Sequence, residues 1–134
     1  MPATRAFIDS NILLYAILED DKRKMMIARR LIGDVLAVVS PQILLEATNV
    51  LIRRAGIGSL DAARLLRPFV DGEVAPTTES TVRESWRIAD RYGFHIYDAT
   101  VVASALGARC PVLYTEDLQD DQRIESLRVV NPFI

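Results

Sequence analysis

Histidine occurs once in these 134 residues, as His95, cysteine once, as Cys110, and lysine only as Lys22 and Lys24. With one histidine and one cysteine, the chain does not support a zinc site, because zinc ligation calls on these residues. Cys110 has no partner for an internal disulfide and is expected as a small reduced core residue ahead of a strand. His95, between Phe94 and Ile96, is expected to play a structural part. No apolar stretch approaches the roughly 20 residues of a membrane span. The opening Met1 to Ala6 lacks the basic and then apolar build of a signal peptide, so a cytoplasmic location is expected. An excess of positive charge is also missing. The formal net charge of -2 argues against attachment to nucleic acid by global charge. No repeat, low-complexity tract or Gly/Ser/Pro linker interrupts the chain, and 50% of it is hydrophobic. One globular domain spanning 1–134, with a buried core, is expected.

What is present is an alternation of short apolar runs and helical periodicity. Arg5 to Ile8 reads as a strand, followed by helical spacing from Asn11 to Leu18. Asp20 and Asp21 open a helix to about Ile32, and Val35 to Val39 is a β-branched run suited to a buried strand. Ser40-Pro41 starts a helix to about Arg54, and Ser59-Leu60-Asp61 caps another ending near Val70. Glu73 to Ala75 is a short strand, Thr78 to Tyr92 a helix closed by Gly93, and Tyr97 to Leu106 a helix ended by Gly107. Val112 to Tyr114 and Leu127 to Val130 read as the last strands. Strands separated by helices imply right-handed crossovers, hence an α/β/α sandwich around a mainly parallel sheet of about five strands. The positive charge is mostly arginine, clustered at Arg29-Arg30, Arg53-Arg54, Arg64 with Arg67, and Arg83, Arg87 and Arg91. Such clusters suit either phosphate contacts or solvated helix faces.

Four acids stand where the chain is otherwise building apolar or helical structure: Asp9, Glu46, Asp98 and Asp117. Burying an ionised carboxylate costs several kcal/mol or more unless a cation compensates it. Asp9 and Asp117 both follow predicted strands, where open α/β sheets form their sites. Glu46 belongs to a polar stripe with Gln42, Asn49 and Arg53, which an ordinary amphipathic helix would also show. Asp98 opens a helix with no other charge, and capping and metal binding both suit it. Converging without a cation, these acids would repel one another, raise one another's pKa values and titrate as a coupled unit. An all-oxygen set suits Mg²⁺, with Mn²⁺ as substitute.

At these residues the chain resembles a PIN-domain ribonuclease, in particular the VapC-type toxins of toxin-antitoxin pairs. The resemblance covers nearly the whole chain. Phe7 to Tyr15 is similar to the opening motif, Ser40 to Glu46 to the second, Ile96 to Ala99 to the third and Leu113 to Gln119 to the fourth. The ending Val129 to Phe133 also resembles VapC-type chains. After Gln119, where the family commonly has glycine, this chain reads Asp120-Asp121-Gln122, which leaves open whether either acid supplements Asp117.

The resemblance implies Mg²⁺-dependent hydrolysis of RNA phosphodiester bonds, with Asp9, Glu46, Asp98 and Asp117 as the catalytic and metal-binding acids. It assigns Ser10, Asn11 and Thr115 to hydrogen bonds that hold those acids. It also implies a homodimer and a small antitoxin lying across the acidic groove. Leu14, Ile17, Met25 and Met26 are candidates for partner surface or for core. The rival readings are a catalytically silent PIN-like module that binds RNA or protein, and a housekeeping nuclease without an antitoxin. An aspartyl phosphatase would want a second Asp where Asn11 stands, and a dinucleotide fold a glycine-rich first turn.

Overall fold

The computed structural model describes residues 3–134; Met1 and Pro2, part of the stretch read for a leader, lie outside the described residues. The chain runs β1 (Arg5–Ile8), α1 (Ser10–Ile17), α2 (Lys22–Asp34), β2 (Leu36–Val39), α3 (Pro41–Ala55) and α4 (Ser59–Val70). It continues through β3 (Glu73–Val74), α5 (Glu79–Tyr92), α6 (Ile96–Gly107), β4 (Val112–Tyr114), β5 (Arg123–Ile124) and β6 (Leu127–Val130). Local chemistry sets most of these boundaries. Asp9, Asp21 and Ser40 cap α1, α2 and α3, and Pro41 occupies the first turn of α3, where its missing N–H costs nothing. Thr78 and Thr81 form a reciprocal capping box at the start of α5, and Gly93 ends that helix at φ +71°.

The strands form one sheet in the order β3-β2-β1-β4-β6-β5, parallel throughout except for β5 against β6. Helices flank it, as the α/β/α sandwich required. Phe7 and Ile8 of β1, Val38 of β2, Leu113 of β4 and Val129 of β6 are fully buried, the pattern of parallel strands covered on both faces. From β1 the chain steps outward to β2 and β3, then returns to lay β4 against the other side of β1. The strand order therefore reverses at the β1/β4 boundary, where open sheets leave a crevice beyond the strand ends.

Two details depart from the sequence reading. Six strands are present among the described residues where about five were expected. Arg123–Ile124 is too short to carry a period, and forms an antiparallel hairpin with β6 through Glu125 at φ +57°. The cap of α4 is Gly58, without a side-chain hydrogen bond, so Ser59 is the first helical residue rather than the cap.

Cys110 is buried and free, and burial pushes its thiol up to about 11. Leu14 and Ile17 pack against the core, whereas Met26 is exposed. Among the described residues, no helix is long and apolar enough to cross a membrane.

Candidate active site

The register pairs Ile8 with Tyr114, so the residues that follow, Asp9 and Thr115, emerge side by side from the centre of the sheet. The Asp9 amide donates to the Tyr114 carbonyl at 3.1 Å. The Thr115 hydroxyl donates to Asp9 Oδ2 at 2.7 Å, and the Ser10 amide to Asp9 Oδ1 at 2.7 Å. Asp9 is only 6% exposed. No lysine or arginine among the described residues lies within ion-pair distance of it. Burial raises its carboxyl from 3.8 to about 6, against the pull of its two hydrogen bonds, and the charges of Asp117 and Glu46 add to the rise.

The other three acids surround the crevice from three further elements. Glu46, one turn into α3, accepts from Ser10 Oγ at 3.2 Å and from Gln42 Nε2 at 2.6 Å. Asp117, on the loop after β4, accepts from Asn11 Nδ2 at 3.0 Å, while its amide donates to Thr115 Oγ1 at 3.1 Å. Asp98 lies in the first turn of α6, and its carboxyl is pushed above the usual range, mainly by burial and then by the charge of Asp117. His95 is the N-cap of that helix, with Nδ1 3.5 Å from the Tyr97 amide.

The shared burial of the four acids needs correcting. Asp9 alone is buried; Asp98 is half-buried, and Glu46 and Asp117 are exposed, because α3, α6 and the β4 loop open onto the crevice. The desolvation argument therefore belongs to Asp9 and only partly to Asp98. Among the described residues, no three His, Cys, Asp or Glu side chains are already gathered into one metal-binding group. In line with their expected part, Ser10 and Asn11 bridge from the Asp9 end of α1 to Glu46 and Asp117.

Asp120 and Asp121 are committed elsewhere. Asp120 accepts from the Asn131 amide and Asp121 from Arg128. Asp121 stands at φ +63°, the left-handed conformation in which glycine is favoured, so the position tolerates aspartate at some backbone cost. Gln42, read only as part of a polar stripe, turns out to orient Glu46; its i, i+4 spacing was the available signal. A cavity of about 550 Å³, lined by Pro41, Gln42, Leu45, Glu46, Thr77 and Tyr97, adjoins the acids through Glu46.

The donor set suits a hard divalent cation. Among the described residues, Asp9 is a buried carboxylate without a compensating charge, and the nearby Asn11 Oδ1 is buried with no hydrogen-bond partner. Asp9, Asp98, Glu46 and Asp117 are the residues that would hold such an ion.

No curated protein matches the chain. The structure is similar to Mycobacterium tuberculosis VapC20, described as a sarcin-ricin loop cleaving toxin, at 22% identity and a TM-score of 0.69 over 84% of this chain and 91% of that one. It is also similar to a chain of a toxin-antitoxin complex from Klebsiella pneumoniae, at 18% identity and a TM-score of 0.73 over 95% and 97%. FitAcB from Neisseria gonorrhoeae aligns at 17% identity and a TM-score of 0.68 over 96% and 98%. At such identities these likenesses establish the fold. The PIN domain family model matches residues 6–123, and with the crevice acids in place along that stretch, the chain belongs to the PIN domain family.

Proposed function

We propose that this chain is a Mg²⁺-dependent ribonuclease hydrolysing RNA phosphodiester bonds, and the toxin of a toxin-antitoxin pair. Asp9 carries the reading: a buried, uncompensated carboxylate at the strand-order reversal, with three more acids around it. Bound there, Mg²⁺, or Mn²⁺ in its place, supplies charge to polarise a scissile phosphate and acidify an attacking water.

The chain's own residues prepare that chemistry. Thr115 and the Ser10 amide each engage one oxygen of Asp9, fixing the carboxylate plane while leaving lone pairs free. Ser10 and Gln42 hold the Glu46 carboxylate, which is suited to orienting water or accepting its proton. Asn11 and Thr115 hold Asp117. No protein nucleophile is required, and Cys110 is buried.

The toxin-antitoxin complex from Klebsiella pneumoniae among the similar structures supports a protein partner. A basic side chain from that partner would compensate the crevice acids as a metal does. Exposed Leu45, Trp86 and Tyr97 offer apolar area to a second copy of the chain, in keeping with a homodimer.

Purified protein incubated with structured and single-stranded RNA, with Mg²⁺, Mn²⁺ or EDTA, tests the reading. Cleavage is expected with metal, falling to the EDTA background in folded Asp9→Asn and Asp98→Asn. Wild-type rates in either variant would sink the assignment. RNA binding without cleavage would favour the silent module.

A further inference from the structure

Consecutive residues of the loop after β4 are received by opposite neighbours. Thr115 and Asp117 join the crevice network, while Glu116 turns to a different set of side chains. Its Oε1 accepts from the Tyr15 hydroxyl at 2.5 Å and its Oε2 from Lys24 Nζ at 2.8 Å. Lys24 Nζ also donates to the Tyr15 hydroxyl at 3.1 Å and lies over the rings of Tyr15 and Phe133, 4.6 and 5.1 Å from their centroids. Tyr15 and Phe133 meet edge to face at 5.0 Å, and Arg23 holds the Phe133 carbonyl. The side chains of Lys24 and Glu116 are only 25% and 24% exposed, so this pair is better shielded than a surface pair.

The register along α1 ties this cluster to the crevice. Asn11 and Tyr15 are four residues apart and share one helix face. Asn11 receives Asp117 and Tyr15 receives Glu116, so α1 grips two successive loop residues. Further along, Asp120 accepts from the Asn131 amide, fastening the same loop to the C-terminal segment. An exposed acid on a loop without helix or strand, facing the charges of Asp9 and Asp98, needs such an anchor to keep its place.

We propose that Lys24, Tyr15 and Glu116 form a clamp that positions Asp117 against Asn11; its catalytic consequence rests on the metal-site reading above. Lys24, Tyr15 and Glu116 are positioning residues and touch no reacting atom. Lys24→Met keeps the apolar stem over the two rings and removes the charge. Glu116→Ala removes the grip on the loop, and Glu116→Gln keeps the side-chain shape without its charge.

Amide hydrogen exchange and Mn²⁺ titration followed by electron paramagnetic resonance, both on the full chain, test the clamp. In Lys24→Met and Glu116→Ala the Asp117 amide is expected to exchange about tenfold faster or more, with the amides of β4 and α6 unchanged. Mn²⁺ affinity should weaken about 10- to 100-fold, the usual scale for groups that orient metal-binding side chains. RNA cleavage should recover as Mg²⁺ is raised. If Glu116→Ala fails to fold, Glu116→Gln carries the test, with the same direction and a smaller effect.

Unchanged Asp117 exchange and Mn²⁺ affinity in folded variants would overturn the clamp, as would a uniform rise in exchange across all amides. A wild-type protein that neither binds Mn²⁺ nor cleaves RNA would remove the proposed function. Exchange at Asp117 would then decide the clamp alone.

Discussion

Two acidic regions of this molecule are handled in opposite ways. Around a cavity of about 480 Å³ between β3, α5 and α6, Glu73 is paired with Arg5, and Glu84 and Glu125 with Arg87. In the β1/β4 crevice, Asp9, Glu46 and Asp117 accept hydrogen bonds from neutral groups, and among the described residues none of the four acids is in ion-pair contact with a lysine or arginine. The titration behaviour follows. Arg5 and Arg87 hold Glu73 and Glu125 below the usual carboxylate range, whereas burial pushes Asp9 and Asp98 above it. Electrostatic compensation is complete where it serves the fold and left open where a ligand would supply it, the kind of local inconsistency that marks functional sites.

The largest effect on stability should come from removing the uncompensated charge. The folded pKa of Asp9 is about 6 against an ordinary 3.8, so protonation favours the folded state. That contribution is fully present below about pH 3.8 and lost as pH rises through about 6. Asn does not titrate. In EDTA, Asp9→Asn should gain on wild type across this window and level off above it, by as much as about 3 kcal/mol. Melting curves that run parallel from pH 4 to 8 would contradict the assignment. Glu73 and Glu125 work the other way, since their lowered values mean stability lost as pH falls.

Supplying the missing charge should have a similar but slightly smaller effect. Mg²⁺ or Mn²⁺ at a hundred times its Kd should stabilise wild type by about 2.7 kcal/mol, and Asp9→Asn far less. Thermal melts with and without millimolar metal measure this, and an unmoved wild-type transition would count against metal binding by these acids.

The smallest effect is expected from spoiling the compensated region. Arg87→Gln leaves Glu84 and Glu125 without their arginine, yet these groups are well exposed. A loss of no more than about 1 kcal/mol is expected, with RNA cleavage unchanged. A large loss of cleavage in Arg87→Gln would break the distinction between the two regions.

Much of this was legible along the chain because the deciding signals are local. Asp9 and Thr115 each follow a short apolar run, Asp98 opens an apolar helix, and Ser40-Pro41 announces the helix that carries Glu46. The strand Arg123–Ile124 was not legible, because two residues have no periodicity and only pairing with β6 makes them a strand. Nor was the clamp, since Lys24 and Glu116 are 92 residues apart and each alone reads as a surface charge.

The sequence by itself determined the alternation of helices and strands, the caps that start the helices, and which acids end up near strand ends and helix first turns. These follow from backbone preferences and apolar periodicity within a few residues. Only the tertiary structure decided that Asp9 alone is deeply buried, that Ser10 and Asn11 bridge to Glu46 and Asp117, and that Asp120 and Asp121 serve Asn131 and Arg128. Burial and electrostatic compensation depend on which distant side chains packing brings within a few ångströms, and that information is not local to any stretch of the chain.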